Sequence, residues 1–188
     1  MSNINTNSNL TDELVFLSLN QFVKCKRNSK YDYGVESHKL KDRLPLSYND
    51  SIHLIYYLQL QQSFLNKKGY GFSIIGVDDI IVIERELDDN IELMFACINS
   101  LNLKKINEKG DIVFMSPFSR EGRFCSPEIL ALNSIPSSVS HKCFYYSLGA
   151  LCLYCLSIDT TIIKGTKLYW LIKRIMNVDP TKRILLMT

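Results

Sequence analysis

The run FYYSLGALCLYCL, from Phe144 to Leu156, constrains the fold of this chain more than any other stretch. Its thirteen residues carry no charge, yet they fall short of the roughly 20 that a bilayer-crossing helix needs. A helix that is apolar on every side belongs inside protein, so the rest of the chain is expected to wrap around this one. There is enough chain to do so. The 188 residues are sufficient for one domain with short tails and a substantial core, and 46% hydrophobic with 22% charged residues is an ordinary globular balance.

Composition removes several function classes. The opening MSNINTNSN is polar, uncharged and rich in Asn, without the basic start and apolar core of a secretory signal. Residues 1–12 are therefore expected to be a flexible tail on a protein that begins in the cytoplasm. The net charge is only +3, and Lys and Arg look scattered rather than gathered on one periodic face, so no nucleic-acid partner is expected. No membrane partner is expected either. Cys25, Cys97, Cys125 and Cys143 stand alone. Cys152 and Cys155 form a Cys-x-x-Cys pair, but inside the apolar helical run and without a turn or a second ligand pair. They read as packed thiols in a reducing compartment. His38, His53 and His141 show no hydrolase spacing with Ser or Cys. The acidic ERELDDN lacks the ligand alternation and Gly of a calcium loop and reads as a solvated hairpin tip.

Along the chain, residues 13–45 read as short extended pieces broken at Asn28-Ser29 and Gly34. Ser47 with Asp50 has the form of a capping box and opens a helix whose apolar positions Ile52, Ile55, Tyr56, Leu58 or Gln59, and Leu65 recur at helical spacing; Gly69 stops it. Two β-branched runs, Ile80 to Ile83 and Ile91 to Ile98, flank ELDDN and predict a hairpin. A loop with a short strand at Ile112 to Met115 reaches Phe124. A short helix from Pro127, a polar loop NSIPSSVSHK, the buried helix 143–157 and an amphipathic helix around Lys167 to Met176 complete the order, and Asp179-Pro180 starts a last helical piece.

CSPE at 125–128, YYSLGALCLYCL at 145–156 and DPTKR at 179–183 are the phrases that carry a family likeness. The chain from about 40 to 186 resembles the C-terminal lobe of the eukaryotic-type protein kinase fold, and within it the degenerate kinase-like proteins of giant DNA viruses. Ser-Pro-Glu is similar to the Ala-Pro-Glu that closes the activation segment, and Ser-Leu-Gly to the start of the family's central helix. The resemblance implies an α+β fold, mainly α, with a small β-hairpin and a central buried helix over 46–188. It also implies that the N-terminal lobe is lost, and that Glu128 and Arg183 form a structural ion pair.

The same alignment shows what is missing. Phe72, Ser73 and Ile74 stand where the family has His, Arg and the catalytic Asp, and an isoleucine cannot accept a proton. Asp79 falls at the metal-binding Asn, and Asn99 is the best match to the Asp of Asp-Phe-Gly, so these two are weak metal candidates. Phe144 replaces the Asp that in the family holds the catalytic loop. No Gly-x-Gly-x-x-Gly loop or Val-Ala-Ile-Lys strand occurs in these residues. The resemblance therefore implies a pseudokinase with no catalytic residue and no cofactor, acting as a protein-binding or scaffold module on a viral or host partner. Phe118, Arg120 and Arg123, in a loop with Phe114, Met115, Pro117 and Phe124, are the candidate partner surface, being of the types enriched at interfaces. Alternatives are nucleotide binding or residual serine/threonine kinase activity with a partner-supplied lobe, and a structural component of the virion rather than of the host cytoplasm. Oligomeric state is open.

Overall fold

In the computed structural model, which describes residues 15–22, 46–87, 90–118, 122–156 and 161–184, Ser47 and Asp50 cap each other at the start of α1, Tyr48–Lys67. The Ser47 hydroxyl accepts from the Asp50 N–H at 3.1 Å, and the Asp50 carboxylate accepts from the Ser47 N–H at 3.1 Å. The helix ends where Gly69 takes φ of +78° and donates its N–H to Asn66 at 3.0 Å, a conformation that costs glycine least. The buried face is Ser51, Leu54, Ile55, Leu58 and Gln62. Tyr56, one of the apolar positions at helical spacing, is 44% exposed. Apolar residues occur on more than one side of α1, so periodicity alone did not select the stripe that meets the sheet.

That sheet is antiparallel and three-stranded. β2 (Tyr70–Phe72) follows α1, and β3 (Ile80–Leu87) pairs with β4 (Asn90–Cys97) in register from Ile80 opposite Cys97 to Leu87 opposite Asn90. β1, Val15–Ser18, adds to the other side of β3, which makes part of the expected N-terminal extended segment a sheet strand. The tail 1–12 and most of 13–45 lie outside the described residues. Both hairpin strands run further toward the tip than their β-branched cores, while Ile98 falls outside β4 and is exposed. Ile80 and Val82 on one strand and Leu93, Phe95 and Cys97 on the other are buried, the period-2 alternation of a sheet covered on one face. At Cys97, the last residue of β4, a side chain takes the place of a neighbouring strand. The Gln61 amide donates to the Cys97 carbonyl and accepts from its N–H, both at 2.8 Å, so α1 satisfies the backbone of that one edge residue.

Two small ribbons complete the β structure. β2 pairs with β5 (Leu103–Lys105), and β6 (Asp111–Phe114) pairs with β7 (Ser137–Ser140). The polar stretch 133–142, expected to be loop, therefore contains a strand. Its serines give little β signal; the ladder to β6 and the burial of Val139 opposite Ile112 hold it.

The central helix is α3, Cys143–Cys155, preceded by α2, Pro127–Leu130, and followed by α4, Lys167–Ile175. Cys143, Phe144, Ser147 to Cys152 and Cys155 of α3 are buried, so the run that dominates the sequence is the centre of the main core, with α1, the sheet and α4 around it. At Gly149 a Cβ would lie 2.5 Å from Met176 Cγ and 3.0 Å from Ile175 Cγ1, so the end of α4 rests on the α3 backbone. A second core of Ile112, Phe114, Cys125, Ile129, Val139 and Cys143 sits under α2. The architecture is thus α+β with small antiparallel sheets. Among the described residues no helix is long and apolar enough to cross a membrane.

Candidate functional site

Arg183 is the most densely bonded side chain of the described structure and is fully buried. A guanidinium has five N–H donors, and here all five are used. Nη1 and Nη2 donate to the two oxygens of Glu128 at 2.5 and 2.8 Å. Nη1 also reaches the Lys142 carbonyl (3.2 Å), Nη2 the Val178 carbonyl (3.1 Å) and Nε the Asn177 carbonyl (2.6 Å). The Tyr146 ring lies against the cation, its centroid 5.2 Å from Cζ. One residue thereby joins α2, the start of α3 and the segment after α4. An unpaired charge at such a depth is prohibitive; the bidentate carboxylate and three carbonyls leave none of it unanswered. Ser126, immediately before α2, is the exception in this region: its buried hydroxyl has no hydrogen-bond partner.

The loop between β2 and β3 is held differently. Ser73 is buried, with its N–H on the Asn102 carbonyl at 3.0 Å, and the Phe72 N–H donates to the buried Gln62 amide at 3.0 Å. From α3, the Ser147 hydroxyl accepts from the Ile75 N–H at 2.9 Å and donates to the Ile75 carbonyl at 3.1 Å. This tether went unread in the sequence, because a serine in an apolar helix gives no signal of what its hydroxyl will meet. Phe144, one turn earlier on α3, is fully buried in the main core.

Asp79 and Asn99 do come together: the Asn99 amide donates to Asp79 Oδ1 at 2.6 Å. Asp79 Oδ2 accepts from the Gly76 N–H at 2.7 Å, closing the 3₁₀ turn Val77–Asp79, and Asn99 Oδ1 accepts from the Leu101 N–H at 2.9 Å. Each oxygen of the pair is thus already engaged, Asp79 Oδ2 and Asn99 Oδ1 in local turns and Asp79 Oδ1 by the Asn99 amide. Among the described residues no group of three or more His, Cys, Asp or Glu is placed to hold a metal ion.

The expected partner surface divides. Phe118 is half-buried and stacks on Phe114 with centroids 4.3 Å apart, as a side chain of the second core. Arg123 is exposed, but its guanidinium lies 4.4 Å from the centre of the Tyr154 ring, which Phe124 also meets edge-on. Arg120 lies outside the described residues. Met115 of the same loop is 74% exposed. The thiols are structural in their surroundings: burial pushes Cys97 and Cys152 up to about 12 and raises Cys143 and Cys155 as well. No protein-family model matches the chain, and a search of curated proteins gives no match either.

Proposed function

We infer that this protein is a noncatalytic, kinase-like binding module, similar to the degenerate kinase-like proteins of giant viruses, and that it engages a protein partner. The observation that carries the reading is the contrast between the saturated Glu128–Arg183 pair and the loop at 72–79. A pair joining a Ser-Pro-Glu segment to a closing Asp-Pro-x-x-Arg segment is the structural arrangement that the kinase resemblance implies. Where that resemblance calls for a proton acceptor, the chain has Ile74, and of the two carboxylates that follow in the loop Asp78 accepts from the Asn20 amide while Asp79 is engaged by Gly76 and Asn99. Phosphoryl transfer works by positioning and charge stabilisation, so such a loop supports a structural role for the lobe. Ser147 supports it too: it holds the loop backbone from the central helix, three residues beyond the position where the family's Asp would do so.

Affinity capture of the tagged full chain from its producing cells tests the reading. One defined protein at stoichiometric level, lost on Arg123→Glu while the fold is kept, is the expected result; transfer of phosphate to that protein or to the chain itself would overturn it. The closeness of Asp79 and Asn99 favours a second reading, nucleotide binding with a lobe supplied by a partner. That reading requires ATP with magnesium to raise the melting temperature and Asp79→Ala to abolish the rise.

A further inference from the structure

The expected scatter of Lys and Arg does not hold everywhere. Residues 161–178 contain Lys164, Lys167, Lys173 and Arg174 and no Asp or Glu. All four cations are exposed, and none is in an ion pair among the described residues. α4 buries Leu168, Leu171, Ile172 and Ile175 and turns Lys167, Trp170, Lys173 and Arg174 outward, with Trp170 56% exposed. Part of this has an internal explanation, because cations in the last turn, Lys173 and Arg174, complement the negative end of the helix. Lys167 does not: it stands in the first turn, where the dipole disfavours a cation, and no acid accompanies it. Nor does folding explain a tryptophan more than half open to water between three cations.

Beside this face, between α3 and α4, is a groove of about 400 Å³ lined by Leu153, Ile163, Tyr169, Ile172, Lys173 and Met176. Lys173 belongs to both features, its Nζ 5.8 Å from the centre of the Tyr169 ring. An apolar trough with one ammonium on its wall suits a large apolar side chain with a carboxylate near it. The neighbouring cations suit further acids, and Trp and Arg are the residue types that most often dominate binding energy. A lipid surface fits less well, because the apolar stripe of α4 is already used in the core and Trp170 is the one large apolar residue that this helix leaves exposed. Nucleic acid fits less well too, since the groove walls offer a phosphate backbone a single cation.

We propose that the outer face of α4 and the groove beside it form a docking surface for an acidic protein segment carrying a large apolar side chain. This rests on the binding-module reading and adds to it a contact surface that does not include Arg123, with the chemistry of the segment it takes. The test is selection of a random-peptide display library on the immobilised full chain, followed by titration of a synthetic selected peptide. Selected peptides should combine Asp or Glu with Trp, Phe or Leu. Affinity should fall about tenfold or more in Lys173→Glu/Arg174→Glu, and fall with added salt. Trp170→Ala should weaken binding without lowering the melting temperature, which shows that the fold is intact. Absence of enrichment, selected peptides without acids, affinity unchanged by these variants, or tighter binding to an oligonucleotide or to phosphatidylserine vesicles would overturn the proposal. A captured cellular partner that still binds the double variant would leave the binding-module reading standing and remove only this surface. Phosphate transfer by a chain that still selects acidic peptides would do the reverse.

Discussion

Arg183 and Asp79 are both charged residues held by hydrogen bonds, but they bind their surroundings over very different distances in the chain. Arg183 gathers groups from Glu128 and Lys142 to Val178, whereas Asp79 bonds to Gly76 three residues away and to Asn99 across one hairpin. The first is fully buried and the second half-buried. Water can replace what Asp79 loses; nothing in the core can replace Arg183. One region therefore sets the packing of the helical half, and the other shapes a turn.

The sharpest way to break that comparison is Arg183→Met. Removing one partner of a buried ion pair costs about 3 to 5 kcal/mol, so chemical denaturation should show the largest loss of any variant named here. Arg183→Lys should recover only part of it, since an ammonium has three donors and no fork. If Asp79→Ala destabilised the chain as much as Arg183→Met, the two regions would not differ as argued. Ser147→Ala comes next. It strips a buried N–H and carbonyl of their shared partner, a loss of about 1 to 3 kcal/mol, and hydrogen exchange should quicken at Ile75 rather than around Arg183. Asp79→Ala is expected to cost about 1 kcal/mol, the ordinary scale of a net hydrogen bond.

The thiols supply a pH test. Cys97 and Cys152, held near 12 against an ordinary 9.0, keep protons in the folded protein that the unfolded chain gives up. The folded state then binds more protons, so stability is full below pH 9.0 and falls as pH rises from there toward about 12. Melting temperatures across that window check the sign, and alkylation at neutral pH should label these thiols only once the chain is unfolded. Ser126→Ala should have the smallest effect and the opposite sign. It deletes a buried hydroxyl without a partner and should be neutral or stabilise by up to about 1 kcal/mol in the same denaturation experiment.

Parts of the fold were legible in the sequence alone. The Ser47–Asp50 cap, the stop at Gly69 and the buried course of 143–155 follow from residue types a few positions apart. Glu128 with Arg183 came from a family likeness and not from spacing, because 55 positions separate the two. Phe118 and Arg123 looked alike as loop residues, yet one lies against Phe114 and the other over Tyr154. Only the course of the chain around α3 separates them.

The sequence by itself determined that a helix starts at Ser47 and stops at Gly69, and that one helix had to be buried, because capping geometry and all-round apolarity act within a few turns. Tertiary structure decided that a serine-rich stretch would be a strand, that Ser147 would hold a loop 72 residues away, and that α4 would leave Trp170 and its cations outside. Those outcomes depend on which partner surface is present when a backbone N–H or an apolar face is buried. A residue's own chemistry states what it needs, but packing alone selects what meets that need.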